Sequence, residues 1–125
     1  MLPMNFDTEK LKAFGGVLKK NKEQKDIVAF GSCTINQNTL NFLSSLDSLS
    51  GILFYYCSFD KIDFSILKNN NIEQITVLHG NCKNLDINQF INIRSLKKLK
   101  LHDTKITENE INNFLSKSHH ITLSF

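Results

Sequence analysis

Leu49-Ser-Gly-Ile52-Leu-Phe54-Tyr-Tyr-Cys57-Ser-Phe59 is the stretch that decides the fold, because it recurs. It returns as Ile72-Glu-Gln-Ile75-Thr-Val77-Leu-His-Gly80-Asn-Cys82 and as Leu96-Lys-Lys-Leu99-Lys-Leu101-His-Asp-Thr104-Lys-Ile106. An earlier copy is Lys25-Asp-Ile-Val28-Ala-Phe30-Gly-Ser-Cys33-Thr-Ile35, and a truncated last copy is Ser118-His-His-Ile121-Thr-Leu123-Ser-Phe125. The central apolar residue falls at Val28, Ile52, Ile75, Leu99 and Ile121, in steps of 24, 23, 24 and 22 residues. Self-similarity at this period predicts a repeat architecture in which each unit buries its apolar face against its neighbours.

Each unit changes period part-way. Ile52-Leu53-Phe54, Ile75-Thr76-Val77 and Leu99-Lys100-Leu101 alternate apolar and variable positions, which predicts a strand with one buried side. A small or sulfur-bearing residue follows at Cys33, Cys57, Gly80 and Thr104, where the chain is expected to bend. Helical spacing then takes over. Thr107-Glu-Asn-Glu110 is a capping-box pattern ahead of Ile111, Phe114 and Leu115. Asp86, Asp63 and Asn36 open the corresponding segments of the earlier units. The expectation is strand, tight turn and short helix, repeated over 25–125 for about four and a half coils. Residues 1–24 are expected to form a capping helix that opens at Asp7-Thr-Glu-Lys and carries Leu11, Phe14, Val17 and Leu18. Gly15-Gly16 lies in its middle and would weaken it by roughly 1 kcal/mol per glycine relative to alanine. The basic stretch from Lys19 to Lys25 reads as a solvated connection.

These residues resemble the leucine-rich repeat family, whose consensus is L-x-x-L-x-L-x-x-N/C-x-L. The resemblance covers roughly residues 25–125. Cys33 and Cys57 match the N/C position, whereas Gly80 and Thr104 depart from it. The helical second halves look like those of the ribonuclease-inhibitor-like and cysteine-containing subclasses. What the resemblance implies is an α/β fold: a right-handed solenoid with parallel strands on a concave face and short helices on a convex one. It further implies binding of a protein partner through the concave face, as in adaptors, inhibitors, sensors and effectors of intracellular bacteria.

Composition narrows the function. The 125 residues hold 41% hydrophobic and 22% charged residues, an ordinary balance for one globular domain. No apolar run reaches the roughly 18 residues that span a bilayer. The start of the chain lacks the basic and apolar regions of a signal peptide, so a cytoplasmic protein is expected, or one delivered into a host cell by a route that needs no signal peptide. Net charge is only +3 and Arg94 is the sole arginine, which disfavours nucleic acid as a partner. The five glycines form no phosphate loop. The three cysteines are an odd number and fall on repeat positions, which reads as reduced, packed thiols. No cofactor and no metal are expected, and no membrane.

In the geometry that the resemblance implies, the side chains that flank the strand apolars point into the concave face and form columns: Ile27, Gly51, Gln74, Lys98 and His120; Ala29, Leu53, Thr76, Lys100 and Thr122; Gly31, Tyr55, Leu78, His102 and Ser124; Ser32, Tyr56, His79 and Asp103. Tyr is enriched at interface hot spots, being large, rigid and polar at its tip. The expected partner-binding residues are therefore Leu53, Tyr55, Tyr56, Leu78, His79, Lys100, His102 and Asp103. A partner offering an apolar knob beside acidic groups would complement them. His79, Asp103, His102 and His120 form the one constellation that could support chemistry, as an oriented base or a metal site. A hydrogen bond across an exposed sheet is the blander reading of the same residues, and the chain is expected not to be an enzyme. The alternative function is assembly: the strand ending near Phe125 would present an uncapped edge for self-association, or for pairing with the remainder of a longer protein.

Overall fold

The computed structural model describes residues 8–125. Asp7 and the start of the expected capping helix lie outside the described residues. The architecture is mixed α/β, built on a mostly parallel sheet with short helices. Its strands are β1 (Gly16–Lys20), β2 (Asp26–Gly31), β4 (Gly51–Tyr55), β6 (Gln74–Leu78), β7 (Lys98–His102) and β8 (Thr122–Ser124), in the order β1-β2-β4-β6-β7-β8. The short β3 (Thr34–Ile35) and β5 (Ser58–Phe59) pair separately. Helices α2 (Gln37–Ser44) and α3 (Glu108–Lys117) and two 3-10 helices, Phe64–Asn69 and Ile87–Asn92, fill the second halves of the units.

Register follows the repeat. Val28 pairs with Ile52, Ile52 with Ile75, and Ile75 with Leu99. These residues are buried, as are Phe30, Phe54, Val77 and Leu101 two residues further along each strand. Period-two alternation thus sends one apolar column after another into a single core. Phe30 stacks on Phe54 at 5.6 Å between ring centroids, and Phe54 meets Phe64 edge-on at 6.0 Å, so the core is continuous from unit to unit. The caps fall where the sequence places them. The Asn36 side chain accepts from Thr39 N–H and the Thr107 hydroxyl accepts from Glu110 N–H. Asp63 and Asp86 accept instead from the amide two residues on, and there the turns are 3-10 rather than α. Buried Asn70 reaches back one unit and donates to the carbonyls of Leu43 and Leu46.

Two expectations fail. The first helix, α1, runs only from Thr8 to Ala13. Gly15 then takes φ +88°, and Gly16–Lys20 turns back as a strand antiparallel to β2. The reason is local. Gly15 supplies the left-handed residue that ends the helix. Gly16 lets the backbone approach so closely that a Cβ there would lie 2.6 Å from Leu11 Cδ1 and 2.8 Å from Phe30 Cε1. Val17 is consequently 55% exposed rather than packed on a helix face. The basic stretch that follows is no loose connection: Lys19 and Lys20 finish β1, and Asn21 ties a tight hairpin by accepting from the amides of Glu23 and Lys25.

The last unit is the second correction. Leu123, not Ile121, pairs with Leu99, while Thr122 pairs with Lys98 and Ser124 with Lys100. The alternation Ile121-Thr-Leu123 fits either register, because a shift of two residues leaves every side chain on its own face. The observed pairing makes the last step 24 residues, the same as Val28 to Ile52 and Ile75 to Leu99.

Candidate functional site

Among the described residues nothing covers the face of the sheet opposite the core, and the columns meet there in the pairing expected as far as β7. Gly31, Tyr55, Leu78 and His102 are in register, as are Ala29, Leu53, Thr76 and Lys100. The slip in β8 moves Thr122 beside Lys98 and Ser124 beside Lys100 and takes His120 off the face. The His120 ring instead meets the Ile93 carbonyl through Nε2 at 3.2 Å.

At the carboxyl ends of the strands the backbone does something that alternation alone does not foretell. Ser32, Tyr56, His79 and Asp103, one per unit, all have φ of 53–54°. Left-handed backbone costs an L-residue roughly 1–2 kcal/mol, and Tyr is among the residues less suited to it. The bend has a direct effect on the face. Consecutive residues of an extended strand point to opposite sides, yet the Tyr55 and Tyr56 rings meet edge-on at 4.6 Å. Tyr56 stacks on the His79 imidazole at 4.9 Å, with 19° between the planes, and His79 touches His102 edge-on at 5.7 Å. Asp103 Oδ2 lies 2.9 Å from His79 Nδ1, and this hydrogen bond holds the Asp103 carboxyl below the usual carboxylate range. Tyr55 is 45% and Tyr56 54% exposed. Five of the eight expected contact residues (Tyr55, Tyr56, His79, His102 and Asp103) therefore form one exposed cluster.

The other three are placed around it. Leu78 and Lys100 occupy neighbouring strand positions, half-buried and exposed respectively. Leu53 lies further along and helps to line a hollow of about 270 Å3 at the amino ends of the strands. Its walls include Lys25, Ile27, Gly51, Gln74, Thr76, Lys97 and Lys98. Gly51 leaves the floor open; a Cβ there would lie 3.0 Å from Ile27 Cγ2 and 3.3 Å from the Gln74 carbonyl oxygen.

An ion network crosses this hollow. Lys25 Nζ donates to Glu73 Oε1 at 2.8 Å, and Lys97 Nζ lies 3.3 Å from Glu73 Oε2. Hydrogen bonds from Lys25 and then Lys97 hold the Glu73 carboxyl below its ordinary range, and Glu73 in turn raises Lys25. Sequence reasoning misses this network, since Lys25 and Glu73 are 48 residues apart and only the register brings them together.

No protein-family model matches the chain, and no curated protein or solved structure matches it either.

His79 and Asp103 form a hydrogen-bonded pair beside the Tyr56 ring and the His102 imidazole. Among the described residues no group of three or more His, Cys, Asp or Glu side chains is arranged to hold a metal ion. Cys57 is buried and Cys33 half-buried. Cys82 is buried, and that burial pushes its thiol up to about 12. No helix of the described residues is long and apolar enough to cross a membrane.

Proposed function

We propose that the chain is a leucine-rich-repeat-like module, a short right-handed solenoid that binds a protein partner through its open, concave strand face without catalysing a reaction. The repeat register supports the solenoid reading: equivalent residues advance by 24, 23, 24 and 24 along Val28, Ile52, Ile75, Leu99 and Leu123. The observation that carries the binding reading is the exposed Tyr55–Tyr56–His79–His102 cluster, whose rings support one another with no covering element among the described residues. Rings held in this way lose little conformational freedom on binding, which is what a hot spot requires.

The charge pattern supports a narrower reading of the partner. Among the strand residues of this face the charged side chains of β1, β6 and β7 are Lys19, Lys98 and Lys100, while the neighbouring carboxylates Asp103 and Glu73 are engaged by His79 and by Lys25 and Lys97. A segment with an apolar or aromatic anchor flanked by Asp or Glu is complementary. Unpaired thiols at Cys33, Cys57 and Cys82 fit a reducing compartment such as a cytoplasm.

The test is capture from source-cell or host-cell lysate, followed by titration of the purified partner against wild type and Tyr55→Ala/Tyr56→Ala. The double substitution is expected to weaken binding by more than about 2 kcal/mol, some thirtyfold, while leaving the melting temperature close to wild type. Equal affinity of the two proteins refutes the reading. One observation favours assembly as a second reading: β8 pairs only with β7, and its far edge and the adjoining Phe125, 71% exposed, are uncovered among the described residues. Sedimentation across micromolar to millimolar concentration decides it, because a strictly monomeric protein excludes pairing of copies through that edge.

A further inference from the structure

Cys33 and Cys57 occupy the same place in successive units. They stand two residues beyond the paired Gly31 and Tyr55 and one before the paired Thr34 and Ser58. The amide of Ser58 donates to the Cys33 carbonyl at 3.1 Å between those pairs. Ladder contacts on both sides thus hold the two backbones at strand spacing, about 4.8 Å, inside the roughly 4.4–6.8 Å window of Cα separations that a disulfide accepts. The sulfurs already touch, with Sγ to Sγ at 3.8 Å, and both thiols are free. Closing the bond brings the sulfurs from 3.8 Å to about 2.05 Å and the Cβ atoms to within about 3.5–4.5 Å of each other. The next unit carries Gly80 at this position, so the pair stands alone rather than as part of a longer thiol ladder.

The pair is also reachable. It lines an open hollow with Ser32, Tyr56, His79 and Asn81. Cys33 is half-buried, whereas Cys57 is 2% exposed and directs its thiol at the Phe30 and Tyr55 carbonyls.

We propose that Cys33 and Cys57 are a modification site: a hydroperoxide oxidises them to an intramolecular disulfide that ties the first two units together beside the Tyr56–His79 stack. This inference stands independently of the binding reading. Cys33, the more exposed thiol, loses its proton and attacks one peroxide oxygen. The O–O bond breaks, the leaving oxygen takes up a proton and departs as water or an alcohol, and Cys33 becomes a sulfenic acid. The Cys57 sulfur then attacks the sulfenic sulfur. The S–O bond breaks, the hydroxyl leaves with the Cys57 proton as water, and the S–S bond forms. Two thiols are oxidised by two electrons and one peroxide is reduced.

Burial, and then the neighbouring Cys57, push the Cys33 thiol up to about 11. The attacking thiolate is therefore scarce near neutrality, and the closure rate is expected to rise close to tenfold per pH unit between about pH 7 and pH 9.

The test treats the folded full chain with hydrogen peroxide, then blocks remaining thiols and reads intact mass and cross-linked peptides. Wild type and Cys82→Ser are expected to lose two hydrogens, to yield a peptide joining Cys33 to Cys57, and to revert with dithiothreitol. Cys33→Ser and Cys57→Ser are expected not to do so. Should either serine variant unfold, the wild-type peptide map alone decides. Oxygen-bearing cysteines without a cross-link, a cross-link that involves Cys82, chain-to-chain dimers only, or three unmodified thiols after exposure at pH 9 would each overturn the proposal.

Discussion

Alanine at Gly15 and Gly16 separates the observed turn from the helix that the local sequence suggests, because the two arrangements predict opposite signs. Were residues 8–18 one helix, each Gly→Ala change would stabilise the protein by roughly 0.5–1 kcal/mol through reduced chain entropy. In the structure Gly15 has φ +88°, where an added Cβ costs about 1–2 kcal/mol and approaches Cys33 Sγ to 3.2 Å. At Gly16 the backbone is unstrained but the space is taken. A Cβ would lie 2.6 Å from Leu11 Cδ1 and 2.8 Å from Phe30 Cε1, and both side chains are 1% exposed, so neither can swing into solvent. Overpacking of this kind costs about 1–3 kcal/mol.

The double variant is therefore expected to lose about 2–5 kcal/mol. At roughly 0.05–0.15 kcal/mol per residue, that is a large share of what holds a chain of this length together. Urea unfolding followed by circular dichroism measures it. With a slope of about 1–3 kcal/mol per molar urea, the midpoint falls by about 1 M or more. A midpoint that rises in Gly16→Ala refutes the strand and its antiparallel pairing with β2. Gly16→Ala is the more telling single change, because no backbone strain enters it and the outcome rests on packing alone.

Further outcomes follow from the core, the caps and the carboxylates. Phe54→Ala removes a buried ring that meets Phe30, Phe59 and Phe64; it is expected to cost about 3–5 kcal/mol in denaturant unfolding, against less than about 1 kcal/mol for the exposed Leu115→Ala. Asn36→Ala removes the side-chain oxygen that accepts from Thr39 N–H and is expected to cost about 1 kcal/mol by the same assay. Glu73, Asp63 and Asp103 are held below their ordinary range by hydrogen bonds from Lys25, the Ser65 hydroxyl and His79 respectively. Their contribution is present above the unfolded carboxylate range, about pH 4, and is lost as pH falls through the depressed folded values, so thermal stability is expected to drop below about pH 4 and to drop less in Glu73→Gln.

What could be read from the sequence was whatever depends on period. Val28, Ile52, Ile75 and Leu99 declare themselves by spacing and alternation, and Asn36, Asp63, Asp86 and Thr107 by their place ahead of helical apolars. What could not be read depends on facts that period leaves open. Leu11, Phe14 and Leu18 fit a helical face whether or not the helix continues through Gly15, and only the close approach of Leu11 and Phe30 to Gly16 shows that the chain must turn. Ile121 and Leu123 fit the core column equally well, since they differ by two residues. The Lys25–Glu73–Lys97 network needs the register of three units before any of its members is a neighbour of another. In the candidate site, the alternation brings Tyr55 to the open face but gives no reason for Tyr56 to join it.

That last point bears on why the cluster exists. Glycine would adopt φ near 53° at the bend at no steric cost, yet the four equivalent positions carry Ser32, Tyr56, His79 and Asp103. In the middle two units the side chain at the bend is a ring; Tyr56 is poorly suited to this backbone, whereas His79, like Asp103, is of a type found there more often. Each of these rings finds its partners across units: Tyr56 stacks on His79, and His79 is hydrogen-bonded by Asp103. These contacts are half-exposed and offset only part of the strain, so stability alone gives a weak reason for them. Replacing Tyr56 by glycine separates the two contributions. If the ring serves stability, Tyr56→Gly lowers the urea midpoint. If it serves recognition, the midpoint holds or rises as the strain is relieved, while partner affinity falls as far as it does in the double tyrosine variant. A lower midpoint with undiminished affinity would locate the value of the ring in the fold and remove Tyr56 from the binding face.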